Sequence, residues 1–255
     1  MKVVKIGGAA LGDSAWVAQF AAAVSAAREP LVIVHGGGPD ITALSDRLGI
    51  EVRWHEGRRI TPPEALDVAA MVLTGRVNKK LVGALLSAGV DAIGLCGIDG
   101  GLLRADIVEE GALGRVGRVT DVRTGLLAGL LQLGHTLVVS PISHGLDGEP
   151  LNVNADDAAA AIASSLGATE LIFLTDVPGV RDGGLVRPLL GPADAASLIR
   201  CGVATAGMRV KLTAAVAALA SGVAAVRIGD ARVLYDTSAG TVVRSSSAAI
   251  SLGVA

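Results

Sequence analysis

Short apolar runs rich in β-branched residues alternate along this chain with longer alanine- and leucine-rich segments of helical length. "VVKI" (3–6), "LVIVH" (31–35), "AIGL" (92–95), "TLVVSPI" (136–142), "ELIFLT" (170–175) and "AAVRI" (224–228) are almost continuously hydrophobic, as strands buried on both faces are. Apolar positions at helical spacing predict helices over 14–28, 39–49, 63–88, 121–133, 155–166, 193–201 and 207–221. This alternation implies an α/β three-layer sandwich, with a mainly parallel central sheet and helices on both faces. The tail "ARVLYDTSAGTVVR" (231–244) alternates and turns near Ser238–Gly240, which predicts a final hairpin. No repeat or Pro/Gly-rich linker interrupts the chain. Two lobes, 1–168 and 169–255, would therefore share one sheet.

Composition narrows the function classes. The 255 residues carry a formal charge of −2 and only 2% aromatics, which leaves neither a basic footprint nor a stacking platform for nucleic acid. No run reaches the roughly 18 apolar residues of a membrane span, and the chain opens on a strand rather than a signal peptide. A soluble cytoplasmic protein is expected. Cys96 and Cys201 have no C-x-x-C or Cys/His spacing and read as buried free thiols. His35, His55, His135 and His144 lack partners at metal spacing and read as structural or surface residues.

In open α/β sheets, ligands gather outside the carboxyl ends of the strands. Lys5, Gly7 and Gly8 follow the first strand, Gly36–Gly38 the second, and Asp176, Pro178 and Gly179 the strand at 170–175. Glycine lets a ligand approach backbone N–H groups, and a helix N-terminus attracts an anion. Neither G-x-x-x-x-G-K-[ST] nor G-x-G-x-x-G is present, nor the hydrolase elbow G-x-S-x-G. The chain has five lysines, at 2, 5, 79, 80 and 211, and otherwise uses arginine. Lysine retained at a strand end (Lys5) and a helix start (Lys211) suggests a need for compact point charges. The segment "LNVNADDAAAAIASSLGA" (151–168) places Asn152, Asn154, Asp156 and Asp157 at the mouth of an alanine-rich helix. Capping accounts for one or two of them, and a ligand site is the other reading.

In order along the chain, "KIGG", "VHGGG", "GRRIT", "GRVNKKLV", "LNVNADDAA", "TDVPGV" and "GMRVKL" resemble the amino acid kinase family over about residues 3–244. Within it they are most similar to the branch that phosphorylates the side-chain carboxylate of N-acetyl-L-glutamate in arginine biosynthesis. The resemblance implies the fold already inferred, ATP with magnesium held mainly by phosphates, and no protein metal ligand. It implies that Lys5 and Lys211 supply charge to the transferring phosphoryl group, with Asp156 fixing both ammonium groups. Gly8, Gly37 and Gly38 would offer backbone N–H groups. Arg59 would grip a substrate carboxylate, Asn152 would bond the acylated amino acid, and Asn154 would support the site. Nucleotide contacts would come from Asp176, Val177, Pro178, Gly179, Val180 and Arg181, and from Val203, Ala204 and Thr205. Asp157 reads as a helix-start charge.

The nearest alternative acceptor is a carrier-protein-bound aminoadipate or glutamate, followed by aspartate, carbamate or uridylate. A catalytically silent regulator is the reading from another class, and the presence of both lysines and Asp156 weighs against it. Segment 63–88 carries an apolar stripe long enough to pair with a symmetry mate, which predicts a homodimer. Arginine-inhibited family members carry an extra N-terminal helix before the first strand. Lys5 follows the initiator closely, so arginine insensitivity is expected.

Overall fold

Side chains alternate along buried strands, and here the alternation divides the core into two layers. The structure, a computed structural model, describes residues 1–55, 57–108, 112–204 and 206–245. In chain order the first elements are β1 (Lys2–Ile6), α1 (Ser14–Ala27), β2 (Val32–His35), α2 (Gly38–Leu48), β3 (Trp54–His55), β4 (Arg58–Arg59), α3 (Pro63–Ala70) and α4 (Asn78–Ser87). Next come β5 (Ala92–Cys96), β6 (Leu103–Ile107), β7 (Val116–Val122), α5 (Thr124–Gln132), β8 (Thr136–Ser140), β9 (Ile142–Gly145), β10 (Pro150–Val153) and α6 (Ala155–Ser165). The rest are β11 (Glu170–Leu174), β12 (Arg181–Asp182), β13 (Leu185–Val186), β14 (Leu189–Leu190), α7 (Pro192–Arg200), α8 (Ala206–Ala220), β15 (Val226–Gly229) and β16 (Thr241–Val243).

Eight strands form the central sheet in the order β14-β16-β15-β11-β1-β2-β8-β5, parallel throughout except at β15–β16. Val3, Val32, Val34, Leu171 and Phe173 face one layer, which α5, α6, α7 and α8 cover with residues such as Leu127, Ile162, Ala195 and Leu212. Val4, Ile6, Ile33 and Ile172 face the other, under Phe20 of α1, Ile41 of α2, Val68 of α3 and Leu81 of α4. The expected three-layer α/β sandwich is the observed one.

Six expectations change in detail. The single helix over 63–88 is two helices joined by a π-helical turn, Met71–Val77. Its apolar stripe (Leu66, Val72, Leu73, Val77, Leu81) is buried in the chain's own core, so the stripe itself is not free to pair with a symmetry mate. The helix expected from 121 starts at Thr124, because Val116–Val122 is a strand paired with β6 and β10. The run 136–142 breaks at Pro141, which has no N–H for the ladder, and β9 leaves for a small closed sheet, β10-β7-β6-β9. The tail forms no hairpin of its own: after a 3-10 turn at Ala231–Leu234, β16 pairs back on β15 and on β14. Both cysteines are free, with Cys96 half-buried and Cys201 exposed rather than buried.

One ion pair ties the tail to the sheet. Arg227 of β15 donates to Glu170 of β11 at 2.8 Å and to the Thr237 and Ala239 carbonyls, with both charged side chains 11% exposed. Removing one partner strands the other charge away from water, so Glu170→Leu should cost about 3 kcal/mol of unfolding free energy. The double variant Glu170→Leu/Arg227→Met should recover much of that loss in urea titrations. A double variant no more stable than the single would show that packing, not the stranded charge, sets the cost.

Candidate active site

At the carboxyl edge of β1 and β2, the loop after each strand meets the N-termini of α2 and α6, and a cavity of about 260 Å³ opens between them. Lys5, Gly8, Gly37, Gly38, Arg59, Asn152, Asn154 and Asp156 all line it. At the start of α2 the Gly38 N–H has no partner inside the helix and is available to an anion, while Pro39 has no N–H to satisfy. A Cβ on Gly8 would lie 2.7 Å from the Gly38 nitrogen and 2.8 Å from Gly37, so the two glycine loops pack backbone to backbone.

The question posed by residues 152–157 has a divided answer. Asn154 is the α6 N-cap, its Oδ1 accepting from the Asp156 N–H at 2.7 Å. Asn152 lies in β10 and caps nothing; its amide donates to the Thr61 hydroxyl at 3.1 Å. Asp156 accepts the Lys5 ammonium at 2.9 Å (Nζ to Oδ1). Asp157 keeps 45% of its side chain exposed and pairs with Arg58 at 3.6 Å; partial desolvation pushes its carboxyl pKa up, Arg58 pulls it down and Asp156 adds a smaller push up.

Lys211 does not line this cavity but lies within electrostatic reach of Lys5 and Asp156. It lies on α8 beside Gly207, one turn back along the helix. Burial lowers its pKa first and the Lys5 charge lowers it further, while Asp156 and Asp176 act in the opposite sense. Lys5 and Lys211 therefore lie within electrostatic reach of each other and of Asp156, with Asp176 acting on Lys211 as well.

Arg59 is 6% exposed. One guanidinium nitrogen donates to the Gly38 carbonyl at 3.1 Å and to Thr42 at 2.8 Å, and the plane stacks over Trp54 at 4.5 Å. Burial lowers its pKa and Asp46 partly offsets this, yet a guanidinium stays charged throughout the physiological range. Trp54, Thr42 and Thr61 are contributors that sequence reading missed. Trp54 and Thr61 stand beside or within the quoted "GRRIT", whereas Thr42, on α2, carried no local signal.

The expected nucleotide segment is a loop rather than a walled cavity. Asp176 and Arg181 are exposed, Val177 and Pro178 half-buried, and Val203 is exposed. Gly179 has φ +158°, and the Val180 N–H is held by the Thr241 hydroxyl at 2.8 Å. The Val180 and Ala204 side chains are buried in the core, so these residues could meet a ligand only through backbone. Thr205 lies outside the described residues. Among the described residues no cluster of His, Cys, Asp or Glu could hold a metal ion, and no helix is long and apolar enough to cross a membrane.

The sequence profile described as the amino acid kinase family matches residues 1–230. Acetylglutamate kinase of Chloroflexus aurantiacus is 43% identical over 239 residues, covering 92% of this chain and 94% of that protein. Acetylglutamate kinase of Roseiflexus sp. RS-1 is 46% identical over 228 residues, covering 89% and 87%. The crystal structure of smu.665 from Streptococcus mutans UA159 superposes with a TM-score of 0.80 at 30% identity, covering 96% of this chain and 98% of that one. With the match extending from the first strand through the last central parallel strand, the chain belongs to the amino acid kinase family.

Proposed function

We propose that this protein transfers the terminal phosphoryl group of ATP to the side-chain carboxylate of N-acetyl-L-glutamate, giving N-acetyl-L-glutamyl 5-phosphate in arginine biosynthesis. The observation that carries this reading is the cluster of Lys5, Asp156 and Lys211 beside the glycine loops and Arg59. A carboxylate oxygen attacks phosphorus, the bond to the bridging oxygen breaks, and ADP leaves with that electron pair. No proton has to be removed from the acceptor. The protein's task is alignment and charge stabilisation. Lys5 and Lys211 meet the phosphoryl charge, and Asp156 keeps the two ammonium groups from separating. Backbone N–H groups at Gly8, Gly37 and Gly38 meet oxygens, while Arg59 and Asn152 hold the acetylated amino acid. With no His, Cys, Asp or Glu cluster for a metal among the described residues, the nucleotide's magnesium would be carried on its phosphates, where the ion would neutralise charge between them.

Residues 1–168 supply the acceptor side in this reading and 169–255 the nucleotide side, with Asp176–Arg181 and Val203–Thr205 along ATP. ADP release measured with N-acetyl-L-glutamate, aspartate, carbamate, uridylate and a carrier-bound aminoadipate tests the assignment. N-acetyl-L-glutamate should give the highest kcat/KM. A higher value with any other acceptor would overturn it.

Arg59→Lys keeps the charge and loses the planar fork that reaches Gly38, Thr42 and the acceptor together. KM for the acceptor should rise about tenfold or more while KM for ATP stays near wild type. Equal rises in both would reassign Arg59 to folding of the β3–β4 region.

A homodimer is the assembly we favour. Met71 of the π turn and Leu86 of α4 are exposed, and α4 packs beside β5, the edge strand of the sheet. Light scattering over a range of concentrations should give twice the chain mass, and Met71→Lys/Leu86→Lys should lower it. A constant monomer mass would rule this assembly out.

A further inference from the structure

His35 ends β2 immediately before the Gly36–Gly38 loop and has no exposed surface. Its ring sits between two partners: Nδ1 is 3.0 Å from the Gly36 carbonyl and Nε2 is 3.3 Å from the Asn78 amide nitrogen. The orientation of Asn78 is set independently. Its Nδ2 faces the Val138 carbonyl at 2.8 Å and the Leu95 carbonyl at 3.3 Å, and its Oδ1 accepts from Lys79 at 3.1 Å. Gly94 makes room for this arrangement, since a Cβ there would run into Asn78 Oδ1 and Lys79 Nζ. Asn78 therefore turns its NH2 group toward His35, its two hydrogens shared among Val138, Leu95 and His35, so a proton on Nε2 would face another donor. Nε2 must accept, Nδ1 must carry the proton, and that proton points at the Gly36 carbonyl. Burial, assisted by the nearby Lys79 charge, lowers the ring pKa to about 4 against the raising effect of the Gly36 bond, so the ring is neutral near pH 7.

In a planar trans peptide the C=O and N–H point in opposite directions. Holding the Gly36 carbonyl toward His35 turns the Gly37 N–H to the other side, where Gly8 packs and the cavity opens. We propose that His35, held as its Nδ1–H tautomer by Asn78, is a positioning residue that locks the Gly36–Gly37 peptide with its N–H facing the phosphoryl-transfer site. This rests on the kinase reading above. Without the lock, glycine on both sides lets the peptide rotate and present a carbonyl oxygen where an anion must bind.

Two substitutions separate the bonds. In His35→Asn the amide can overlay Nδ1 and still donate to Gly36, though it loses Asn78. In His35→Gln the amide reaches Asn78 and loses Gly36. The expected result is kcat within about threefold of wild type for His35→Asn and about tenfold to a hundredfold lower for His35→Gln, with KM for ATP little changed, since losing one such donor outright costs about 10²–10³. Their thermal midpoints should be similar. Equal kcat in the two variants, or losses that follow their thermal midpoints, would make His35 a purely structural histidine. Long-range ¹H–¹⁵N spectra of the wild-type imidazoles, with His35 assigned by its absence from a variant, test the lock without turnover. An Nδ1–H ring that does not titrate between pH 5.5 and 8 is expected; an Nε2–H ring, or one titrating near 6.5, overturns the proposal. If wild type does not turn over N-acetyl-L-glutamate, the kinase reading fails, while the spectra still report on the lock.

Discussion

Replacing Lys5 or Lys211 with alanine should lower kcat by about 10²–10³, because each removes a cation whose interaction grows as charge develops on the transferring phosphoryl group. The two variants should differ in KM. Lys5 is held by Asp156 at 2.9 Å on the side proposed for the acceptor, so its loss should leave KM for ATP nearly unchanged. Lys211 lies within the field of Asp176, on the loop proposed for the nucleotide, so its loss should raise KM for ATP as well. Steady-state kinetics on variants with native thermal midpoints decide the matter. A folded Lys5→Ala or Lys211→Ala with near-normal kcat would falsify the two-lysine mechanism.

The same cluster sets a pH dependence. Burial and the Lys5 charge pull the Lys211 pKa below the ordinary lysine value, so its cation is lost at lower pH than an ordinary lysine's and kcat should fall earlier on the alkaline side. Asp156 opposes that shift. Asp156→Asn should therefore lower kcat and move the alkaline limb to lower pH, whereas Lys5→Ala should move it up. No acid limb near neutrality should depend on Asp156, since the acceptor carboxylate is already ionised. An acid limb that Asp156→Asn abolished would make this residue a base and not an organiser.

Legibility followed the range over which each feature is encoded. "VVKI" and "LVIVH" declare buried strands because a fully covered parallel strand needs no polar alternation, and Asn154 declares a cap by standing just before an alanine run. The β3–β4 hairpin that carries Arg59 has two residues per strand, too short for any period. The π turn at Met71–Val77 stayed hidden because Val72, Leu73 and Val77 fit a 3.6-residue repeat equally well. Partners set by tertiary contact were out of reach: Thr61 for Asn152 is 91 positions away and Glu170 for Arg227 is 57. His35 fell in the same class. Read alone it is a histidine at a strand end, and only Asn78, 43 positions on, fixes which nitrogen carries the proton.

Gly8→Ala should be nearly as damaging as loss of a lysine, and through geometry alone. An added Cβ would lie within 2.7–2.8 Å of three backbone atoms, Gly38 N, Gly37 N and Gly37 Cα, none of which can rotate away as a side-chain end would. Relief requires the β1 and β2 loops to part. Gly37 is itself backed by Leu73 and Val77 of the π turn, so the second loop has little room to retreat. The N–H groups of both loops would then be displaced by several tenths of an ångström from the oxygens they meet, and misplacement on the order of 1 Å costs about a hundredfold in rate. We expect kcat to fall about that far, a stability loss of about 1–3 kcal/mol from the overpacking, and a smaller change in KM for ATP. Gly12→Ala supplies the matched control: it lies on the same loop, in the open, where a Cβ meets nothing within 4 Å, and should leave both quantities close to wild type. If the two alanines behave alike, the close packing of the glycine loops does not govern alignment.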